Sequence, residues 1–197
     1  MYDLVVYDDA FYDMYGSEAK RMAPWLMPLL REVIPFRSLV DVGCGEGWYL
    51  AWLKANGHPN DSLYGLEGSA AAVARAVYPI IHHDLRKPLH DNWGRFDVAL
   101  SFEVAEHIEP EYADIFVDTL CALSDVIVMT AAFPGQGGLQ HVNEQPLSYW
   151  EDLFDSHEFV RDDGLLLRLN DGIRQSVDAG QYCAPWLLPN LMVLRRV

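Results

Sequence analysis

The sequence predicts an α/β fold, a mostly parallel sheet with helices on both faces. Three observations carry this. Short apolar runs alternate with amphipathic stretches through the middle of the chain, the pattern of strands joined by covering helices. The first run passes directly into Asp41-Val42-Gly43-Cys44-Gly45-Glu46-Gly47, a glycine-rich turn of the kind that follows the first strand of a nucleotide-binding sheet. Acidic residues then stand at the ends of later runs, on the edge where such sheets bind ligands.

Residues 38–42, 62–66, 80–82, 96–102 and 126–130 read as strands. Residues 47–56 read as a helix stopped before Gly57, residues 69–77 as a helix capped by Ser69, and residues 110–123 as a helix with Pro110 at a first helical position. Residues 132–146, rich in Gly and Gln and without periodicity, read as a loop over the carboxyl edge of the sheet. Ser148-Tyr149-Trp150-Glu151 has the spacing of a capping box, which predicts a helix start there. Residues 157–161 and 190–196 are expected to pair antiparallel, with a helix at 165–178 between them. Residues 2–15 are dense in Tyr, Phe and Asp and precede an amphipathic stretch at 17–34. One domain is expected: a helical flap at 1–34, a cofactor-binding core at 36–131, and a substrate-side loop, helices and closing strands at 132–197.

At 197 residues the chain can bury a single substantial core, and a hydrophobic share of 51% with 22% charged residues is that of a folded globule. The 14 basic against 29 acidic residues, net −15, disfavour nucleic acid as a partner, since no surplus of cations exists to neutralise phosphates. Cys44, Cys121 and Cys183 are far apart and odd in number, which argues against a disulfide framework and for a reducing cytoplasm. No run is long enough to span a bilayer and no basic leader opens the chain, so no membrane association is expected. The assembly expected is a monomer or homodimer.

The three glycines of the turn let backbone approach a ligand closely, and Glu67 closes the second strand about twenty residues later, where nucleotide-binding sheets grip a ribose diol. Asp84-Leu85 follows the third strand; there an acid can accept from an adenine amino group, or simply cap a turn before Pro88. Taken in order, Val40-Asp41-Val42-Gly43-Cys44-Gly45-Glu46-Gly47, Gly65-Leu66-Glu67, His83-Asp84-Leu85 and Phe96-Asp97-Val98-Ala99-Leu100-Ser101 resemble the successive motifs of Rossmann-like methyltransferases that use S-adenosylmethionine (SAM). The resemblance spans roughly residues 36–131. It implies a seven-stranded sheet with an antiparallel last strand. It implies that Asp41 lies under the methionine moiety, that Gly43, Cys44, Gly45, Trp48, Gly68 and Phe102 border the cofactor, that Glu67 holds the ribose, and that Asp84 and Leu85 flank adenine. A dinucleotide site of the form G-x-G-x-x-G would need glycine at position 48, where Trp48 stands.

Strand four ends in Glu103-Val104-Ala105-Glu106-His107, which brings two carboxylates and an imidazole to the ligand edge. Like charges at that distance are tolerated when a cation or shared proton joins them. The E-x-x-E-H segment resembles the metal-binding stretch of methyltransferases acting on ubiquinone precursors and on the terminal ribose of small RNAs, the latter completing the site with a later histidine; His141 is so placed here. Glu103, Glu106, His107 and His141 are thus candidate ligands for Mg, Mn or another divalent cation. The alternative is an E-H pair packed beneath the substrate pocket without metal. In that case His107 or His141, with Glu106 beside them, is the candidate general base.

Tyr7, Phe11, Tyr12, Tyr15, Tyr149 and Trp150 could line a pocket, although aromatics at helical spacing more often belong to a core; Trp48 and Trp52, one helical turn apart, also suit sheet packing. His82, His83 and His90 read as surface or cofactor-rim residues. The function expected is O-methylation of a small hydroxylated metabolite. An N-methyltransferase, an RNA or protein methyltransferase, a SAM-binding partner without turnover and a nicotinamide oxidoreductase are the rivals.

Overall fold

The computed structural model describes residue 12 and residues 17–59, 62–89 and 93–197. Seven strands form one sheet: β1 (Leu39–Val42), β2 (Leu63–Glu67), β3 (Ile81–His82), β4 (Val98–Ser101), β5 (Val126–Thr130), β6 (Phe159–Arg161) and β7 (Leu191–Arg196), in the spatial order β3-β2-β1-β4-β5-β7-β6. Pairings are parallel from β3 through β5, and β7 runs antiparallel to both β5 and β6. The strand order reverses between β1 and β4, so a crevice opens beyond their carboxyl ends, the place where such sheets take ligands.

Seven α-helices flank the sheet among the described residues: α1 (Ser17–Val33), α2 (Trp48–Ala55), α3 (Ala70–Arg75), α4 (Ala113–Leu123), α5 (Leu147–Asp155), α6 (Asp163–Asp178) and α7 (Leu187–Asn190). Strand periodicity divides the core. Leu39, Leu100, Val128 and Val193 pack with α1, α2 and α6 on one face, while Val40, Ala99, Ile127 and Met192 pack with α4 and α5 on the other. Each fully buried Leu or Phe in these layers contributes about 1.5–3 kcal/mol. In α1, Pro24 and Pro28 lie on the exposed face, where water can solvate the carbonyls that lose their amide partners, while Met22, Leu26, Met27 and Leu30 face inward. Among the described residues no helix is long and apolar enough to cross a membrane.

Several sequence expectations need correction. The capping box at Ser148 does not form: the N-cap is Pro146, two residues earlier, with no side-chain cap, and Glu151 accepts a hydrogen bond from Arg161 at 2.8 Å instead. Strand four is shorter than residues 96–102 because the Asp97 carboxylate captures the amides of Arg37 and Ser38 at 2.6 and 3.0 Å. The helix expected at 110–123 opens as a separate 3₁₀ turn, Pro110–Tyr112, before α4. Helix α7 was not anticipated. Ser69 does cap α3, accepting from the Ala72 amide at 3.3 Å. The flap expected at 1–34 lies outside the described residues up to position 16, except for Tyr12.

Candidate active site

The glycine turn opens the site. Gly43 directly follows β1 with a φ of 77°, and a Cβ there would sit 2.3 Å from Val104 Cγ2, so only glycine fits between β1 and the segment after β4. The amides of Gly43 and Cys44 both donate to the Leu66 carbonyl at 2.8 and 3.1 Å, which locks the turn to the end of β2.

Two acids flank this turn. Glu67 at the end of β2 accepts from the Gly45 amide at 2.7 Å and from the Ser69 amide at 2.7 Å, holding its carboxylate level with the turn. Burial pushes it above the usual carboxylate range against these amides. Asp41 points to the α1 side of the sheet and is 2% exposed, with Oδ2 lacking a hydrogen-bond partner. Burial, with the Glu67 charge behind it, pushes Asp41 up to about 8. Ionising either acid would call for a compensating positive charge in this place.

Above them is an open cleft whose wall includes Asp41, Gly43, Cys44, Gly45, Trp48 and Phe102, six of the residues expected to border the cofactor. Trp48 donates its indole N–H to Glu46 at 2.9 Å and lies under Lys20, 4.6 Å from the ring centroid. Phe102 meets Tyr49 edge to face at 5.7 Å. Sequence reasoning missed Glu18, Tyr49 and Trp186 in this wall. Glu18 on α1 accepts from Tyr182 Oη at 2.7 Å and from Trp186 Nε1 at 2.9 Å, fastening the helix across the mouth. Tyr12 also lines the cleft, whereas Trp150 is 0% exposed in the core with Tyr149 packed against it.

Gly68 and Leu85 lie beside Glu67 and β3: the Gly68 carbonyl is 3.0 Å from His82 Nε2, and Leu85 is buried in the second core layer. Asp84 is engaged by its own loop. Arg86 bonds Oδ1 through Nε at 2.9 Å and through its amide at 3.2 Å, and Oδ2 through Nη2 at 3.2 Å, which holds the Asp84 carboxyl below its ordinary range. That is the turn-capping arrangement. His90 lies outside the described residues.

Beyond β4 the chain brings together Glu106, His107 and His141, whose ligand-type atoms all lie within 4.8 Å of one another. His107 Nδ1 is 3.1 Å from the Gln140 carbonyl and His141 Nδ1 is 2.9 Å from Glu144 Oε1. Both partners can only accept, so each Nδ1 donates and carries a proton. Burial pushes His107 down to about 4. Glu106 is 0% exposed, neither of its oxygens has a hydrogen-bond partner, and burial together with the Glu103 charge raises its carboxyl.

Glu103, the fourth expected ligand, lies outside this 4.8 Å group although its charge acts on Glu106. Its backbone is left-handed, φ 51°, and its amide donates to Thr130 Oγ1 at 2.8 Å. Its carboxylate is taken by Gln136 Nε2 at 2.7 Å and Asn190 Nδ2 at 2.9 Å, and Asn190 also donates to Gln136 at 2.8 Å. Neither partner carried a signal in the sequence, being single amides far along the chain.

Residues 14–161 match a family model described as a methyltransferase domain. A malonyl-[acyl-carrier protein] O-methyltransferase of Hahella chejuensis is 35% identical over 75 residues, 38% of this chain. The chain spans only 25% of that relative's length. The sugar N-methyltransferase KedS8 of a Streptoalloteichus species superposes with a TM-score of 0.63 at 17% identity, covering 95% of this chain and 92% of its own. The SAM-bound amino pentose methyltransferase CalS10 of Micromonospora echinaspora gives 0.65 at 18% identity, with 96% of each chain covered. At such identities these two are likenesses of fold. With the family match covering most of the chain, the chain belongs to the methyltransferase-domain family and has the Rossmann-like fold of its SAM-dependent members.

Proposed function

We propose that the enzyme methylates a hydroxyl oxygen of a small metabolite, with a divalent cation held by Glu106, His107 and His141. The observation that carries this reading is the convergence of one fully buried carboxyl and two imidazoles, whose ligand-type atoms lie within 4.8 Å of one another. A buried carboxylate left unpaired costs several kcal/mol, and an oxygen-nitrogen-nitrogen donor set suits a divalent transition metal or Mg. The donors therefore fit such an ion. When bound, it would lower the pKa of the acceptor hydroxyl and hold it in position.

The chain's own residues do the rest. Asp41 and Glu67 balance the positive groups of SAM and grip its ribose, while Tyr49, Phe102 and Trp186 wall the cleft against water. The sulfonium methyl is already electrophilic, so the remaining work is to align the acceptor and move one proton. If the proton is taken without metal, the His141 or His107 Nε2 is the group that receives it. The acidic surplus of the chain supports a small-molecule acceptor over a nucleic acid. Three unpaired cysteines support function in a reducing cytoplasm.

The test is release of S-adenosylhomocysteine across a panel of hydroxylated and aminated metabolites, with and without chelator and with Mn²⁺ or Mg²⁺ restored. Activity on hydroxyl acceptors, lost to chelator and regained with metal, is expected. Chelator-insensitive turnover removes the cation and leaves the histidine base. Turnover confined to amines overturns O-methylation, and SAM binding without turnover on any acceptor points to a binding protein.

A further inference from the structure

We propose that Glu144 is the positioning residue for His141, fixing the orientation and the Nδ1–H tautomer of its ring beside Glu106 and His107. This rests on the assignment of His141 to the reaction centre made above. The two oxygens of Glu144 receive three donors: Oε2 the Gly135 amide at 2.7 Å, and Oε1 the Gly137 amide at 2.7 Å and His141 Nδ1 at 2.9 Å. One carboxylate thus closes the loop onto itself and holds the imidazole in the Nδ1–H form with Nε2 bare.

The rest of the loop seats the ring. A Cβ on Gly138 would lie 2.1 Å from His141 Nε2 and 2.4 Å from its Cε1, so the imidazole occupies the space a side chain there would fill. The amides of Val142 and Asn143 donate to the Glu106 carbonyl at 2.9 and 3.0 Å, so the residue that supplies the carboxylate also anchors the strand of loop bearing His141. These contacts set the position of the loop. They do not choose the orientation of the ring, because turning an imidazole over about its outer torsion exchanges Nδ1 with Cδ2 and Nε2 with Cε1 in nearly the same volume. The Glu144 contact breaks that degeneracy, and it does so whether His141 binds a cation or takes a proton.

The experiment is imidazole ¹⁵N–¹H correlation on the metal-free protein, with Mn²⁺ and SAM titrations, for wild type, Glu144→Ala, Glu144→Gln and Gly138→Ala. Wild-type His141 is expected as the Nδ1–H tautomer. Glu144→Gln keeps a carbonyl acceptor and should keep that tautomer. Glu144→Ala should shift His141 to Nε2–H and weaken Mn²⁺ about 10- to 100-fold while leaving SAM affinity intact. Gly138→Ala should displace the ring and weaken Mn²⁺ similarly without lowering the melting temperature, since only a side-chain tip must move. Wild-type His141 found as Nε2–H, or Glu144→Ala retaining both tautomer and Mn²⁺ affinity, overturns the proposal. Wild type that binds no Mn²⁺ but loses the Nδ1–H form in Glu144→Ala keeps Glu144 in this role and rejects the metal.

Discussion

The imidazoles of His107 and His141 meet edge to face, with ring centroids 4.9 Å apart and planes at 82°, although 33 residues separate His107 from Gln140, whose carbonyl orients it. This contact joins the segment after β4 to the loop after β5 and makes the candidate centre a property of two chain segments that meet. Replacing either histidine by alanine is expected to lower kcat/KM about 10²- to 10⁴-fold with SAM binding unchanged. Glu103→Gln, which can still accept from Asn190, is expected to lose less than about tenfold. A Glu103→Gln loss equal to that of His107→Ala would return Glu103 to the centre.

Asp41 should make SAM binding pH-dependent. In the free protein burial and the adjacent Glu67 charge hold its proton up to about 8, and a cationic ligand favours the carboxylate, so binding below that pH releases a proton. The Kd for SAM should fall up to about tenfold per pH unit as pH rises towards 8 and level off above it. The sign for stability is opposite. Between the ordinary value of 3.8 and about 8 the folded acid holds a proton that the unfolded acid has lost, so the free protein is destabilised by rising pH across that window. Calorimetry in buffers of different ionisation enthalpy counts the proton; Asp41→Asn should weaken binding and abolish the release. An unaltered proton count in Asp41→Asn would move the effect to Glu67, the other raised acid of the pair.

Gly43→Ala should destabilise the fold as well as the site. The Cβ clash at 2.3 Å with Val104 is overpacking, at about 1–3 kcal/mol, and the left-handed backbone adds about 1–2 kcal/mol. Urea unfolding of Gly43→Ala, Val104→Ala and the pair separates them. The pair should recover the steric part relative to the sum of the singles; strict additivity would show that the two residues do not collide.

Glu18 should control access to the cleft. Glu18→Ala removes the acceptor for both Tyr182 Oη and Trp186 Nε1, freeing α1 from the wall opposite the glycine turn. Faster S-adenosylhomocysteine release by stopped flow and a red-shifted tryptophan emission are expected, with the phenol of Tyr182 titrating lower than its present value of about 12. Unaltered release kinetics would show that this fastening does not gate the cofactor.

Much of the fold was legible because its signals are local. Residues 126–130 form β5 as expected, and β1, β2 and β3 begin within one residue of the expected positions, since each is an apolar run bounded by turn residues. The helix ends were less legible where competition was tertiary. Ser148 and Glu151 have capping-box spacing, yet Pro146 starts α5 earlier and Arg161, on β6, draws Glu151 away. Asp84 shows the same limit: its place after β3 suits adenine, while Arg86 two residues on occupies both of its oxygens.

The sequence by itself determined the sheet, the glycine turn and the acids at the ends of β1 and β2, because period-two burial, left-handed glycine and fixed offsets are encoded within a few adjacent residues. Only the tertiary structure decided the chemistry beyond the cofactor. It left Glu103 outside the group of Glu106, His107 and His141 while keeping its charge close enough to raise Glu106, by turning the Glu103 backbone left-handed and binding its carboxylate to Gln136 and Asn190, 33 and 87 residues away. It placed His141 against His107 and gave it Glu144 as a partner. Such contacts depend on which chain segments cross above the sheet, and no local pattern of residues specifies that.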